Sequence, residues 1–182
     1  MNTIRIIGGK YRSRHLELPK LDKTVRPTQD KVRQAIFSAL GNSLNGGIVL
    51  DLFSGSGAYG FEAISRGVNF VYFNDTNLTC VKAIKESGNK LECANQIKVS
   101  NLNYNQYLKT VKNIKFDYVF LDPPYALEVN QEIIKYLLDN NLLSSSAKII
   151  AEQEAELVPI QGFNLKTYKY SYKRVGIYTK EN

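Results

Sequence analysis

The stretch Ile48–Gly60, Ile-Val-Leu-Asp-Leu-Phe-Ser-Gly-Ser-Gly-Ala-Tyr-Gly, does most to limit what this chain can fold into. Ile48–Leu52 is an apolar run with β-branched residues, long enough for a buried strand. Gly55, Gly57 and Gly60 then form G-x-G-x-x-G, whose missing Cβ atoms let backbone approach a ligand closely, and Ala58–Arg66 reads as the following helix. The same pattern serves as a dinucleotide-binding fingerprint. Asp75 even lies twenty positions after Gly55, where a ribose-binding carboxylate is expected. A glycine turn with no ligand is the plain alternative.

Asp51 separates these readings. It ends the strand just before the loop, where a carboxylate would repel the pyrophosphate that loop and helix N-terminus attract. S-adenosylmethionine carries no phosphate. Its sulfonium and amino groups are both positive and are favoured by a nearby carboxylate. Asp-Leu-Phe-Ser-Gly-Ser-Gly resembles the first motif of class I methyltransferases. The resemblance assigns Asp51, Phe53, Gly55 and Gly57 to that cofactor.

The 182 residues suffice for one well-buried α/β domain with a small appendage. No apolar run approaches the ~20 residues of a membrane span, and the first residues do not resemble a signal peptide. Cys80 and Cys93 suggest neither a disulfide framework nor a metal site, although two cysteines can pair. A cytoplasmic, membrane-free protein is expected. The net charge of +7 is uneven: residues 1–46 hold nine Lys/Arg against three Asp/Glu. A basic arm on a nearly neutral domain suits a polyanionic partner, or is merely a solvated surface. Residues 1–46 are therefore read as an extension and 47–182 as the catalytic domain.

Along the chain, Thr3–Ile7 and Lys10–Leu16 read as strands joined by a Gly8-Gly9 turn. Arg5, Lys10, Arg12 and Arg14, with Tyr11 among them, suit phosphate contact and base stacking. His15 has no evident catalytic partner. Thr28 is placed to cap a helix whose stripe is Val32, Ala35, Ile36, Ala39 and Leu40. Further strands are expected at Asn69–Asn74, Lys98–Asn101, Phe116–Leu121 and Ala147–Ala151. Helices are expected at Thr79–Leu91 and Val129–Asp139, the latter burying Ile133, Ile134, Leu137 and Leu138. Asp75 ends the second strand, where its carboxylate can accept from ribose hydroxyls or cap the next helix. Glu152, Glu154 and Glu156 alternate as a solvated face would. Leu165–Tyr172 and Val175–Thr179 read as a closing antiparallel pair, with Tyr168, Tyr170 and Tyr172 packing on one face. The strand–helix alternation indicates a doubly wound, mainly parallel sheet with ligands at the carboxyl ends of its strands.

Two further segments make the resemblance specific. Ile4-Arg5-Ile6-Ile7-Gly8-Gly9-Lys10, then Val25-Arg26-Pro27-Thr28, then Val32-Arg33-Gln34-Ala35-Ile36-Phe37 closely resemble the start of the RsmD family. Those are bacterial methyltransferases of a guanine 2-amino group in 16S ribosomal RNA. Asp122-Pro123-Pro124-Tyr125 resembles the Asp/Asn-Pro-Pro-aromatic motif of enzymes that methylate exocyclic amines. Such an amine is a poor nucleophile because its lone pair is delocalised into the ring. Asp122 and the Pro123 carbonyl can accept its two hydrogens and favour a pyramidal nitrogen. Pro123 and Pro124 fix φ and remove N–H donors, and Tyr125 can stack on the extruded base. An ordinary Asp titrates near 3.9, so Asp122 is expected to position the amine, not to take its proton.

The resemblance implies the class I fold, a Rossmann-like sheet of seven strands with the last antiparallel, and S-adenosylmethionine as methyl donor with S-adenosylhomocysteine as product. It also implies no metal, a monomer, and 16S RNA of the small ribosomal subunit or its assembly intermediate as partner. Asn101 matches the position near the adenine amino group, and Asp75 stands where family members commonly have Glu. Arg26, in the Arg-Pro-Thr stretch, joins the RNA-contacting set. A DNA adenine methyltransferase shares the Asp-Pro-Pro-Tyr motif, but no target-recognition domain is evident. A noncatalytic RNA-binding protein on the same fold is the other rival, and loss of cofactor binding would mark it.

Overall fold

The computed structural model describes residues 4–18, 29–41, 44, 46–124, 127 and 129–181. Thr28, Arg26 and Tyr125, singled out above, lie outside the described residues.

The sheet is built from β3 (Ile48–Asp51), β4 (Phe70–Asn74), β5 (Ile97–Ser100), β6 (Phe116–Leu121), β7 (Leu143–Gln153), β8 (Phe163–Tyr170) and β9 (Lys173–Lys180). Its order is β5-β4-β3-β6-β7-β9-β8. β3 to β7 run parallel, whereas β9 lies antiparallel between β7 and β8. The strand order reverses at β3, and in such a sheet ligands collect at the carboxyl ends beside the reversal. A short pair, β1 (Ile4–Arg5) and β2 (His15–Leu16), stands apart from the main sheet.

Alternate strand residues face opposite sides, so both faces of the central strands are apolar. Val49, Val71, Phe73, Phe120 and Ile150 join one cluster with α1 (Gln29–Leu40), α2 (Ala58–Ser65) and α3 (Leu78–Lys90). Leu50, Leu52, Val119, Leu121 and Ile149 join a second with α4 (Tyr104–Thr110) and α5 (Asn130–Asp139). Ile4, Ile6, Tyr11 and Leu16 belong to the first cluster, so the N-terminal segment shares the core of the sheet.

Several expectations change on folding. Gly8-Gly9 is not a two-residue hairpin turn. The chain reverses later, where the Ser13 amide donates to the Ile6 carbonyl at 2.9 Å. The glycines instead let this segment lie on the end of α2. A Cβ on Gly9, at φ 73°, would sit 1.8 Å from the Ser65 carbonyl oxygen. Tyr11 is buried and takes no base-stacking position. In α1, Arg33 and Phe37 are buried while Ala39 is exposed. α3 is capped by the Asn77 side chain, which accepts from the Thr79 amide, and not by Asp75. α4, which the sequence reading lacks, is capped by Asn103 and buries Tyr107 and Leu108. Tyr168 and Tyr170 pack on the core, but Tyr172 lies beyond β8 and is 45% exposed. Cys80 and Cys93 are both buried and free. Among the described residues no helix is long and apolar enough to cross a membrane.

Candidate active site

Asp51 ends β3, and its side chain is buried. Its Oδ2 accepts one hydrogen bond, from the Gly60 amide at 3.0 Å. Burial pushes its carboxyl up to about 7 against that hydrogen bond, with Asp75 and Asp122 adding to the rise. A carboxyl held there gains most from a cation placed beside it. Gly55 and Gly57 take positive φ, 51° and 76°, in the loop that follows. At Gly55 a Cβ would meet nothing within 4 Å, so the loop borders open space. Gly60 serves packing instead: a Cβ there would run into the Phe73 ring at 2.2 Å.

Asp75 follows β4 and holds the loop from the other side. Its Oδ2 accepts from the Gly55 amide at 2.7 Å and its Oδ1 from the Asn77 amide at 2.8 Å. A carboxylate offers about four lone-pair positions, so both oxygens can still accept hydroxyl donors. Asn101, just beyond β5, donates through Nδ2 to the Asp75 carbonyl oxygen at 2.8 Å. That orientation leaves its side-chain carbonyl as an acceptor. Phe53 is partly buried and packs on Tyr104, ring centroids 5.7 Å apart.

Asp122 follows β6 and begins the Asp-Pro-Pro segment. Its side chain keeps 30% of its surface exposed. Here the sequence expectation of an ordinary carboxyl fails. Burial and the neighbouring Glu152 push Asp122 up to about 7, although Lys173 pulls the other way. Glu152, near the end of β7, is also unlike its expected solvated self: it is 4% exposed. It accepts from the Tyr59 hydroxyl of α2 and faces Lys173 Nζ at 3.1 Å. Lys173 Nζ in turn lies 3.5 Å from Asp122 Oδ1. Neither Lys173 nor Glu152 belongs to a motif. The usable signal for Glu152 is its place at the carboxyl end of a central strand. Lys173 comes to that same edge because β9 is antiparallel, which puts its first residue beside the last residues of β7.

The basic residues of the arm lie elsewhere. Arg5, Lys10, Arg12 and Arg14 are exposed on the β1–β2 segment, and Arg14 Nη2 donates to the Lys90 carbonyl at 3.1 Å. Among the described residues no group of three His, Cys, Asp or Glu side chains could hold a metal ion.

A mainly parallel sheet with this order, an antiparallel last strand, and acidic residues at the carboxyl ends of β3, β4 and β6 beside a glycine loop define a class I methyltransferase of Rossmann-like fold. The family described as "Conserved hypothetical protein 95" matches residues 4–179. The chain belongs to that family, the RsmD family. "Ribosomal RNA small subunit methyltransferase D" of Haemophilus influenzae is 36% identical to it over 156 residues, 84% of this chain and 80% of that protein. The protein of that name from Escherichia coli is 35% identical over 153 residues, 84% of this chain and 76% of its own length. The solved structure of Escherichia coli yhhF superposes with a TM-score of 0.87 at 31% identity, covering 99% of each chain.

Proposed function

We propose that this protein transfers a methyl group from S-adenosylmethionine to the 2-amino group of one guanine in 16S RNA of the small ribosomal subunit, in the cytoplasm. The observation that carries the reading is the meeting of Asp51, Asp75 and Asp122 along one sheet edge, beside a glycine loop open to solvent. The donor set fits the cofactor: a buried carboxyl near 7 for positive groups, and a second carboxylate for ribose hydroxyls. Asn101 offers a carbonyl for the adenine amine, and Phe53 an apolar wall. Bound there, S-adenosylmethionine supplies an electrophilic methyl group. Asp122 and the Pro123 carbonyl orient the amine so that its lone pair faces that methyl group. Tyr125 stacks on the base, and the exposed cations of the arm, with Arg26, meet RNA phosphates. Relatives named as small-subunit RNA methyltransferases support the RNA substrate.

Mass spectrometry of 16S RNA from cells with and without the protein tests the reading. Loss of one methyl from a guanine amine is expected. Unchanged RNA together with loss of a methyladenine from DNA would favour the DNA reading.

Two consequences concern binding. Asp75→Ala removes charge-assisted hydrogen bonds worth about 1.5–3 kcal/mol, so S-adenosylmethionine should bind about 10–150-fold more weakly by calorimetry. Unchanged affinity would remove Asp75 from the ribose site. Replacing Lys10, Arg12 and Arg14 together should leave cofactor affinity intact and weaken RNA binding. The log–log salt slope of that binding should shrink by roughly 2–3 if all three meet phosphates. A slope equal to wild type would make them a solvated surface.

A further inference from the structure

Four side chains from four elements form a chain across the carboxyl edge of the sheet: Tyr59 of α2, Glu152 of β7, Lys173 of β9 and Asp122 after β6. Among the described residues Lys173 pairs with both carboxylates, Glu152 and Asp122, so the two acids share one ammonium group. The two carboxylates are not equivalent. Glu152 is 4% exposed and has both the Lys173 ammonium at 3.1 Å and the Tyr59 hydroxyl. Asp122 has Lys173 at the longer distance of 3.5 Å and is 30% exposed. Asp122 is thus the more weakly held of the two carboxylates, and burial and the Glu152 charge both disfavour its ionised form.

We propose that Lys173 and Glu152 are positioning residues for methyl transfer: the lysine fixes the Asp122 carboxylate toward the target amine, and the glutamate makes it able to take the amine's proton. This rests on the methyltransferase reading above. As the nitrogen lone pair forms the new N–C bond, the C–S bond breaks and its electron pair stays on sulfur. The nitrogen, now positive, releases a proton to the Asp122 carboxylate, and the resulting carboxylic acid passes it to water. An ordinary carboxylate would be too weak a base to hold that proton at neutral pH, whereas one near neutrality is matched to the task. Other charges also face this site. The Asp51 carboxyl, at the end of the neighbouring β3, feels the Asp122 charge, and the Arg33 charge of α1 acts on Tyr59. The rise at Asp122 follows first from its burial and then from Glu152.

The test needs no substrate at first. Carboxyl carbon NMR of the full cofactor-free chain, with the Asp122 signal assigned through Asp122→Asn, should show a midpoint near 7 in the wild type. Glu152→Gln removes the repelling charge and should lower that midpoint by about 1–3 pH units. Lys173→Met removes the attracting charge and should raise it, whereas Lys173→Arg should restore it. The pH profile of single-turnover methyl transfer should move with each midpoint, activity falling as pH drops through it. A residue that merely supports the fold would change rate or melting temperature and leave the midpoint alone. An Asp122 that titrates as an ordinary carboxyl, or a midpoint unmoved by Glu152→Gln, overturns the proposal. Should Lys173→Met fail to fold, Glu152→Gln and Lys173→Arg decide alone. The NMR result stands even if no RNA is methylated, so failure of the substrate reading is seen separately.

Discussion

Asp122→Ala is expected to slow methyl transfer about 100–1,000-fold at saturating cofactor, the usual cost of losing one positioned acceptor of transition-state charge. The carboxylate follows β6 at the sheet edge, with Lys173 Nζ 3.5 Å from its Oδ1. Alanine removes both the acceptor for the amine hydrogen and the negative charge that stabilises the nitrogen as it becomes positive. Asp122→Asn keeps a carbonyl that accepts one hydrogen bond, and its rate should fall between alanine and wild type. The comparison belongs well above pH 7, where the wild-type carboxyl, pushed up to about 7, is ionised. Single-turnover methylation of unmodified small subunits reads the chemical step, and calorimetry with S-adenosylmethionine checks that the site still binds. A wild-type rate in Asp122→Ala would remove this residue from the chemistry. A parallel loss of cofactor affinity would make the effect structural.

The legible part of this site is local in sequence. β3, the glycine loop and α2 follow one another within Ile48–Ser65, so strand, turn and helix could be read from one short pattern. Asp122 was equally visible because the apolar run Phe116–Leu121 ends where Asp-Pro-Pro begins. What stayed hidden depends on partners distant in the chain. Glu152, Glu154 and Glu156 alternate like a solvated face, yet Glu152 is buried because β9 covers it and Tyr59 reaches it from α2. Lys173 lies 51 residues after Asp122. Only the antiparallel entry of β9 brings it to the same edge, and no spacing rule encodes that. Gly8-Gly9 is ambiguous for a related reason. A glycine pair between two strand-like runs suggests a tight turn, whereas here it is close approach to Ser65 and Arg66 that excludes side chains. α4 is not legible in the sequence because its short run, Tyr104–Thr110, buries only Tyr107 and Leu108, too few for a helical stripe.

Glu62 is where the basic arm is fastened to the helix that starts at the glycine loop, and Glu62→Ala should cost about 3–5 kcal/mol of stability. The side chain is fully buried in α2. Its oxygens accept from the Ile7 and Gly8 amides at 2.8 Å each, and Arg66 Nη2 pairs with Oε1 at 2.8 Å. Arg33, itself 2% exposed, places Nε 3.7 Å from Oε2 and uses Nη2 to hold the Arg5 carbonyl at 2.7 Å. Without the carboxylate, the buried Arg66 guanidinium loses its counter-charge, Arg33 keeps, among the described residues, only Asp30 at 2.9 Å, and two amides lose their acceptor. Removing one partner of such a cluster costs more than the cluster itself contributes, since the remaining charges stay buried. In a chain of this length the loss corresponds to a melting temperature lower by about 6–20 °C. Glu62→Gln keeps one acceptor oxygen for the arm and should lose less. The exposed pair Glu17–Lys90 is the contrast: breaking it with Glu17→Ala should cost no more than ~1 kcal/mol. Hydrogen exchange then locates the effect. In Glu62→Gln the Ile7 and Gly8 amides should exchange faster, while the sheet amides of β3 and β6 keep their protection relative to global unfolding. Melting of Glu62→Ala within a degree of wild type would mean that apolar packing of Ile4, Ile6 and Tyr11 holds the arm by itself.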